Sequence, residues 1–303
     1  MKRIAVLQAL TLSAGLLAAV PALALDGTLK KIKDSGAVTM GVRESSGGLS
    51  FTTGNGRFAG FHVELCQRAL ADVQKQLGLA KLDVKYQPVT SQNRIPLVQN
   101  GTVDIECGST TNNAARQKDV AFAATTYVEE VRIAVKASSG ITSIAQLNGK
   151  NVATTTGTTS VQHLRRHERA AGVNFKEVYG KDHADSFLLL ASGRADAFVM
   201  DGQILAGNIA KAKKPADFRI VGEVLSVEPI AIMLRKDDPA FKKAVDDSLK
   251  ALMKSGEMAK IYDKWFMQPI PPANTRIGLP ASEATKAAWA SPNDKPMEDY
   301  AKK

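Results

Sequence analysis

The chain has 303 residues, and it is short of several things at once: two cysteines, four histidines, two tryptophans and only 6% aromatic residues. Two cysteines and four histidines without ligand spacing give no zinc-site pattern. His163 and His167 stand four apart, but no HExxH accompanies them, and a solvated helix face is the expectation. No Gly-Lys-Ser/Thr completes a phosphate loop. The formal charge is +10, yet Lys and Arg are dispersed among Asp and Glu without aromatic neighbours, so a nucleic-acid surface is not indicated. Beyond the N-terminus no apolar run approaches the ~20 residues of a spanning helix. Nor is a nucleophile–base pair legible; Glu44, Glu129 and Glu228 are the only carboxylates placed for an acid–base role.

What is present begins with an export signal. Met1-Lys2-Arg3 is a positive start, Ile4 to Val20 is apolar, and Pro21-Ala22-Leu23-Ala24 ends with small residues. This pattern reads as a secretory leader over residues 1–24, cleaved after Ala24, which directs the mature protein to the periplasm of a Gram-negative cell. The remainder is long enough for two lobes, and 44% hydrophobic residues suffice for packed cores.

Strand and helix patterns alternate. Ala37–Val42 reads as a buried strand, Asn55-Gly56 as a hairpin turn, and His62 to Leu77 as a helix with apolar residues at helical spacing, stopped by Gly78. Alternation of this kind predicts an α/β fold with largely parallel sheets. A weak internal echo predicts that there are two of them. SQNRIPLVQNGTVDIECGS (91–109) and HADSFLLLASGRADAFVMD (183–201) each read as helix, Gly, Asp and apolar strand with a polar end. Aligned on Gly101 and Gly193, Asp104 matches Asp196, Ser109 matches Asp201, and Ser91 matches His183. Polar residues at strand ends and helix starts then face one crevice. The expected division is a first lobe over 25–130, a second over 131–230, and 231–303 completing the first, with crossovers near Tyr127 to Ile133 and Ser226 to Leu234. The Pro-rich tail after Trp265 is expected to wrap the first lobe.

Thr156-Gly157-Thr158-Thr159-Ser160 joins a strand to a helix start, which makes either an anion site or a plain helix cap. Arg94 in a first helical turn opposes the helix dipole, which suggests a carboxylate clamp; a surface ion pair is the other reading. Cys66 and Cys107 are either a disulfide or two buried thiols.

The segments GVRESSGGLSF, SQNRIPLVQNGTVDIECGSTTNNAARQ, TTGTTS, KDHADSF and DKWFMQPIPP resemble the amino-acid-binding periplasmic receptors of ABC transporters, solute-binding protein family 3. Within that family the chain is most similar to the glutamate/aspartate-binding branch. The resemblance implies a two-lobed periplasmic-binding-protein fold (type II), two hinge crossovers, no cofactor, and a monomer that delivers its ligand to a membrane permease. It also implies a ligand set. Arg94 clamps the α-carboxylate, supported by Thr111 and the Thr158–Thr159 backbone. Asp201 and Ser109 meet the α-ammonium, and Arg43, Ser91 and His183 meet the distal carboxylate. The alternative is a dehydratase-like periplasmic enzyme on the same fold.

Overall fold

The computed structural model describes residues 25–300, so the leader expected over residues 1–24 lies outside the described part. After α1 (Gly27–Ser35) come β1 (Ala37–Val42), a small sheet of β2 (Ser45–Ser46), β3 (Ser50–Gly54) and β4 (Arg57–Ala59), then α2 (Phe61–Gln76), β5 (Asp83–Pro88), α3 (Arg94–Gln99), β6 (Ile105–Glu106) and β7 (Val120–Phe122). The chain continues through β8 (Tyr127–Lys136), β9 (Asn151–Thr155), α4 (Thr159–Ala171), β10 (Lys176–Gly180), α5 (His183–Ala191), β11 (Ala197–Asp201), α6 (Gly202–Ala210) and β12 (Phe218–Ile230). It closes with β13 (Met233–Arg235), α7 (Pro239–Ser255), α8 (Glu257–Phe266), α9 (Glu283–Ala290) and α10 (Met297–Tyr300).

Two five-stranded sheets carry the molecule, in the orders β5-β1-β6-β13-β7 and β10-β9-β11-β8-β12. They share one plan. Three parallel strands are followed by an antiparallel one, β13 in the first sheet and β8 in the second. The echo in the sequence is the mark of this repetition. Asp104 accepts from the Thr39 amide at 2.8 Å, and Asp196 accepts from the Asn151 amide at 2.9 Å. Each aspartate thus fastens its strand to the start of the parallel neighbour, after a glycine at positive φ (Gly101 at 76°, Gly193 at 78°) that turns the chain out of the helix.

The strand sequences follow from burial on both faces. In β11, Ala197 and Val199 enter one core with Ile133, Val152 and Leu164, while Phe198 and Met200 enter another with Leu190 and Leu205. A continuous apolar run results, not an alternation. The first lobe is centred on Met40, Phe61, Leu65, Phe241 and Phe266, with Trp265 edge-on to Phe51. At its middle Cys66 of α2 and Cys107, just past β6, form a disulfide across 41 residues with Cα atoms 6.4 Å apart, which settles the choice that spacing left open.

β8 and β12 pair antiparallel from Tyr127↔Ile230 onward, so the two passages between the sheets run side by side. The tail covers more than the first lobe. Thr285 of α9 accepts from the Val128 amide at 3.0 Å, the Trp289 indole donates to the Thr126 carbonyl at 2.7 Å, and α10 packs on β12. It therefore grips the crossover strands themselves. Among the described residues no helix is long and apolar enough to cross a membrane.

Candidate functional site

The site is assembled by helix starts and strand ends from both sheets. Ahead of α3, the Asn93 side chain accepts from the Thr90 amide at 2.8 Å and the Asn93 amide donates to the Thr90 hydroxyl at 3.2 Å. This locked turn presents Ser91 and places Arg94 as the first helical residue, with no side-chain cap on α3. In the second sheet Asp182 and Asp185 form a capping box on α5, which places His183 at its first position. The Thr158 hydroxyl donates to the Thr155 carbonyl at 2.8 Å and does not cap α4, so the first amides of that helix remain available to an anion.

Ser91, Arg94, Ser109, Thr111, Thr158, Thr159, His183, Met200 and Asp201 line one tight cavity between the two sheets, with ≈ 10 Å³ open to water in this closed form. A more open depression bordered by Phe58, Glu64 and Trp265 offers no comparable charge, because Glu64 is already engaged by Arg68, Lys264 and the Trp265 indole. Among the described residues no cluster of His, Cys, Asp or Glu suits a metal ion.

Arg43 does not itself line the cavity; it lies fully buried against Ser91 and His183, which do. Its Nη2 donates to Ser91 Oγ at 3.1 Å and Asp182 Oδ1 at 2.6 Å, and it stands 3.2 Å from His183 Nε2. Its Nε and Nη1 are buried without a partner, and so is Nε of Arg94, whose Nη1 donates to the Ser109 carbonyl at 3.1 Å. Unpartnered guanidinium N–H groups in a dry cavity are costly alone and stabilising once an anion meets them. Burial, then the neighbouring Arg116, pull the Arg94 pKa down to about 9, still charged at neutral pH. Burial, then Arg43, lower His183 to about 3, which keeps its imidazole neutral. Asp201 moves the other way. Burial first, then Glu228, raise its carboxyl to about 7 against the pull of Arg94 and Arg116.

The lobes are closed on each other around this cavity. Ser45 of the first lobe donates to Asp182 Oδ2 at 2.6 Å and accepts from the Ala184 amide at 3.1 Å. Gln203 Oε1 accepts from the Gly48 amide at 3.1 Å, and Lys211 stands 4.2 Å over the Phe51 ring. At two glycines the seam is too tight for a side chain. A Cβ on Gly207 would lie 2.6 Å from Gly47 Cα, and one on Gly157 would lie 2.8 Å from Gln92 Cα.

Sequence reasoning missed several residues here. Asp182 reads only as a helix cap, yet it is the cross-lobe partner of Arg43. Arg116, unremarkable in sequence, donates to the Thr111 carbonyl at 2.9 Å and approaches the Gly157 carbonyl of the other lobe at 3.5 Å. His163 is a correction. It is buried, not on a solvated face, because β12 covers that side of α4 and Glu228 Oε1 lies 2.6 Å from its Nε2. His167 is half-buried, 3.0 Å from the Leu225 carbonyl. Glu129 and Glu228 are direct cross-strand partners at the crossover and are buried.

Comparison with known proteins agrees with this architecture. Residues 38–268 match the family of bacterial extracellular solute-binding proteins, family 3. The chain is 47% identical to the L-glutamate/L-aspartate-binding protein of Pseudomonas aeruginosa over 275 residues, covering 90% of this chain and 91% of that one. It is 46% identical over 290 residues to the glutamate/aspartate import solute-binding protein of Escherichia coli (strain K12), covering 95% and 96%. A crystal structure of a mutant ArgBP from T. maritima superposes with a TM-score of 0.70 at 28% identity, over 80% of this chain and 100% of that one.

Proposed function

The chain belongs to the bacterial extracellular solute-binding proteins, family 3, and from that premise we propose that it captures glutamate or aspartate by closing two lobes and delivers it to an ABC importer. It is a binding protein and not an enzyme. The observation that carries the choice of ligand is the pair Arg43 and Arg94, buried with unpartnered N–H groups beside one cavity that also holds Asp201. Two guanidinium groups with free N–H donors for two carboxylates, and one carboxylate for an ammonium, match a dicarboxylic amino acid.

We assign the α-carboxylate to Arg94 and the open amides at the start of α4, with Thr158 and the Thr159 backbone beside it and Arg116 behind; the Thr111 and Thr159 hydroxyls are committed to Glu228. The α-ammonium goes to Asp201 and Ser109, and the distal carboxylate to Arg43, Ser91 and His183. The neutral His183 stands with Nε2 3.2 Å from Arg43 Nη2 and Nδ1 3.0 Å from Thr155 Oγ1, which holds the guanidinium in place. The lobes comprise residues 25–130 with 231–303, and residues 131–230, moving about the paired strands β8 and β12. Ligand contacts from both lobes favour the closed state. The protein works in the periplasm as a monomer after removal of residues 1–24.

Native mass spectrometry of the protein as secreted provides the test. A bound mass equal to glutamate or aspartate supports the reading, and a neutral or basic amino acid at full occupancy would contradict it.

A further inference from the structure

Glu228 makes a contact set that no ligand assignment uses. Its carboxylate is completely buried, on the crossover strand β12. Oε2 accepts from Thr111 Oγ1 at 2.5 Å and from Thr159 Oγ1 at 2.9 Å; Oε1 faces His163 Nε2 at 2.6 Å. The two hydroxyls come from different lobes, stand 3.4 Å apart, and both threonines line the cavity beside Asp201.

An ionised carboxylate accepts hydrogen bonds only, and a hydroxyl has one proton to give. Two hydroxyls that both donate to Glu228 keep only lone pairs for the cavity. They cannot donate to a ligand carboxylate there, and they are suited to accept from an ammonium. Burial opposes ionisation of Glu228, but His163 and the two threonines hold its pKa below the ordinary carboxylate value.

We infer that Glu228 is a positioning residue that fixes Thr111 and Thr159 as acceptors, so that the site demands an α-ammonium on its dicarboxylate ligand. It acts without touching the ligand, and it ties one threonine of each lobe to the hinge only when the lobes are closed. The inference rests on the proposed amino-acid ligand.

The experiment compares glutamate with glutarate, the same dicarboxylate without the amine, by calorimetric titration and by competition. Wild-type titration with glutamate comes first; absence of binding would overturn the ligand reading itself. Glu228→Met removes the acceptor at similar size, and Glu228→Gln keeps one acceptor oxygen for the threonines if its amide donates to His163. Both variants lose the charge equally, so any difference between them reports the hydroxyl orientation. The expected result is a preference for glutamate over glutarate that falls tenfold or more in Glu228→Met and is largely restored in Glu228→Gln. An unchanged preference in Glu228→Met, or a Gln variant no better than Met, would overturn the inference while leaving the ligand reading intact. If thermal unfolding shows that Glu228→Met is not folded, Thr111→Val and Thr159→Val take its place. A preference lowered by these supports the inference, and a preference untouched by both contradicts it.

Discussion

Asp182 of the second lobe reaches across the cleft to Arg43 of the first, 2.6 Å from carboxylate to guanidinium, and the same carboxylate receives the Ser45 hydroxyl. Burial works against the charge on Asp182, yet His183, the Arg43 guanidinium and the Ser45 hydroxyl together hold its carboxyl well below the usual range. The pair forms only when the lobes meet. Asp182→Ala is therefore expected to weaken glutamate binding by about 1–3 kcal/mol, expressed mainly in faster release. Stopped-flow dissociation against a competing ligand measures it.

The two arginines separate by ligand. Arg94→Ala is expected to cost ~2–5 kcal/mol of binding for any amino acid, because it leaves a desolvated carboxylate unpaired. Arg43→Ala is expected to weaken glutamate and aspartate more than glutamine, which lacks the second carboxylate. Titration of each variant with all three ligands checks both statements.

Glycines at the seam give a prediction in which stability and binding part company. Gly207 lies within α6, where alanine favours the helix by up to ~1 kcal/mol. Its Cβ would nevertheless stand 2.6 Å from Gly47 Cα in the closed form. Gly207→Ala is expected to melt no lower than wild type without ligand while binding glutamate at least tenfold more weakly. A thermal melt and a titration on the same sample check it.

The pH dependence follows from Asp201. Burial first, then Glu228, raise its carboxyl from 3.8 to about 7 against the pull of Arg94 and Arg116. The ligand-free fold thus holds a proton that the unfolded chain releases at lower pH, so this group destabilises the fold progressively as pH rises from about 4 to 7. An ammonium needs the ionised form. Below pH 7 binding must expel the proton, and glutamate affinity is expected to fall about tenfold per pH unit. Proton release measured in two buffers of different ionisation enthalpy checks it.

The disulfide closes a loop of 41 residues in the first lobe, and neither cysteine lines the ligand cavity. On the chain-entropy account its removal costs about 4 kcal/mol of stability. Replacement of Cys66 and Cys107 by alanine is expected to lower the denaturation midpoint with little change in glutamate affinity.

Much of this was legible in the sequence because the repeated unit left repeated marks. The helix, Gly and Asp of each lobe serve the same two hydrogen bonds, so the pattern survived and placed Ser91, Ser109, His183 and Asp201 around one cleft. The contacts that escaped act across the gap between lobes; Glu228 itself reads in the sequence only as a carboxylate placed for an acid–base role. Asp182 meets Arg43 over 139 positions and Glu228 meets Thr111 over 117, and neither carries a local signal beyond a helix cap or a lone acid in a strand. His163 looked exposed for the same reason, since the strand that buries it arrives 65 residues later.

Calorimetric titration of the mature protein, unfolded and refolded to remove carried-over ligand, tests the account most directly. Glutamate, aspartate, glutamine and arginine are compared. The account predicts tight one-to-one binding of glutamate or aspartate, with glutamine much weaker and arginine silent. Silence with both acids, or tight binding of glutamine or arginine, would contradict the two-arginine site.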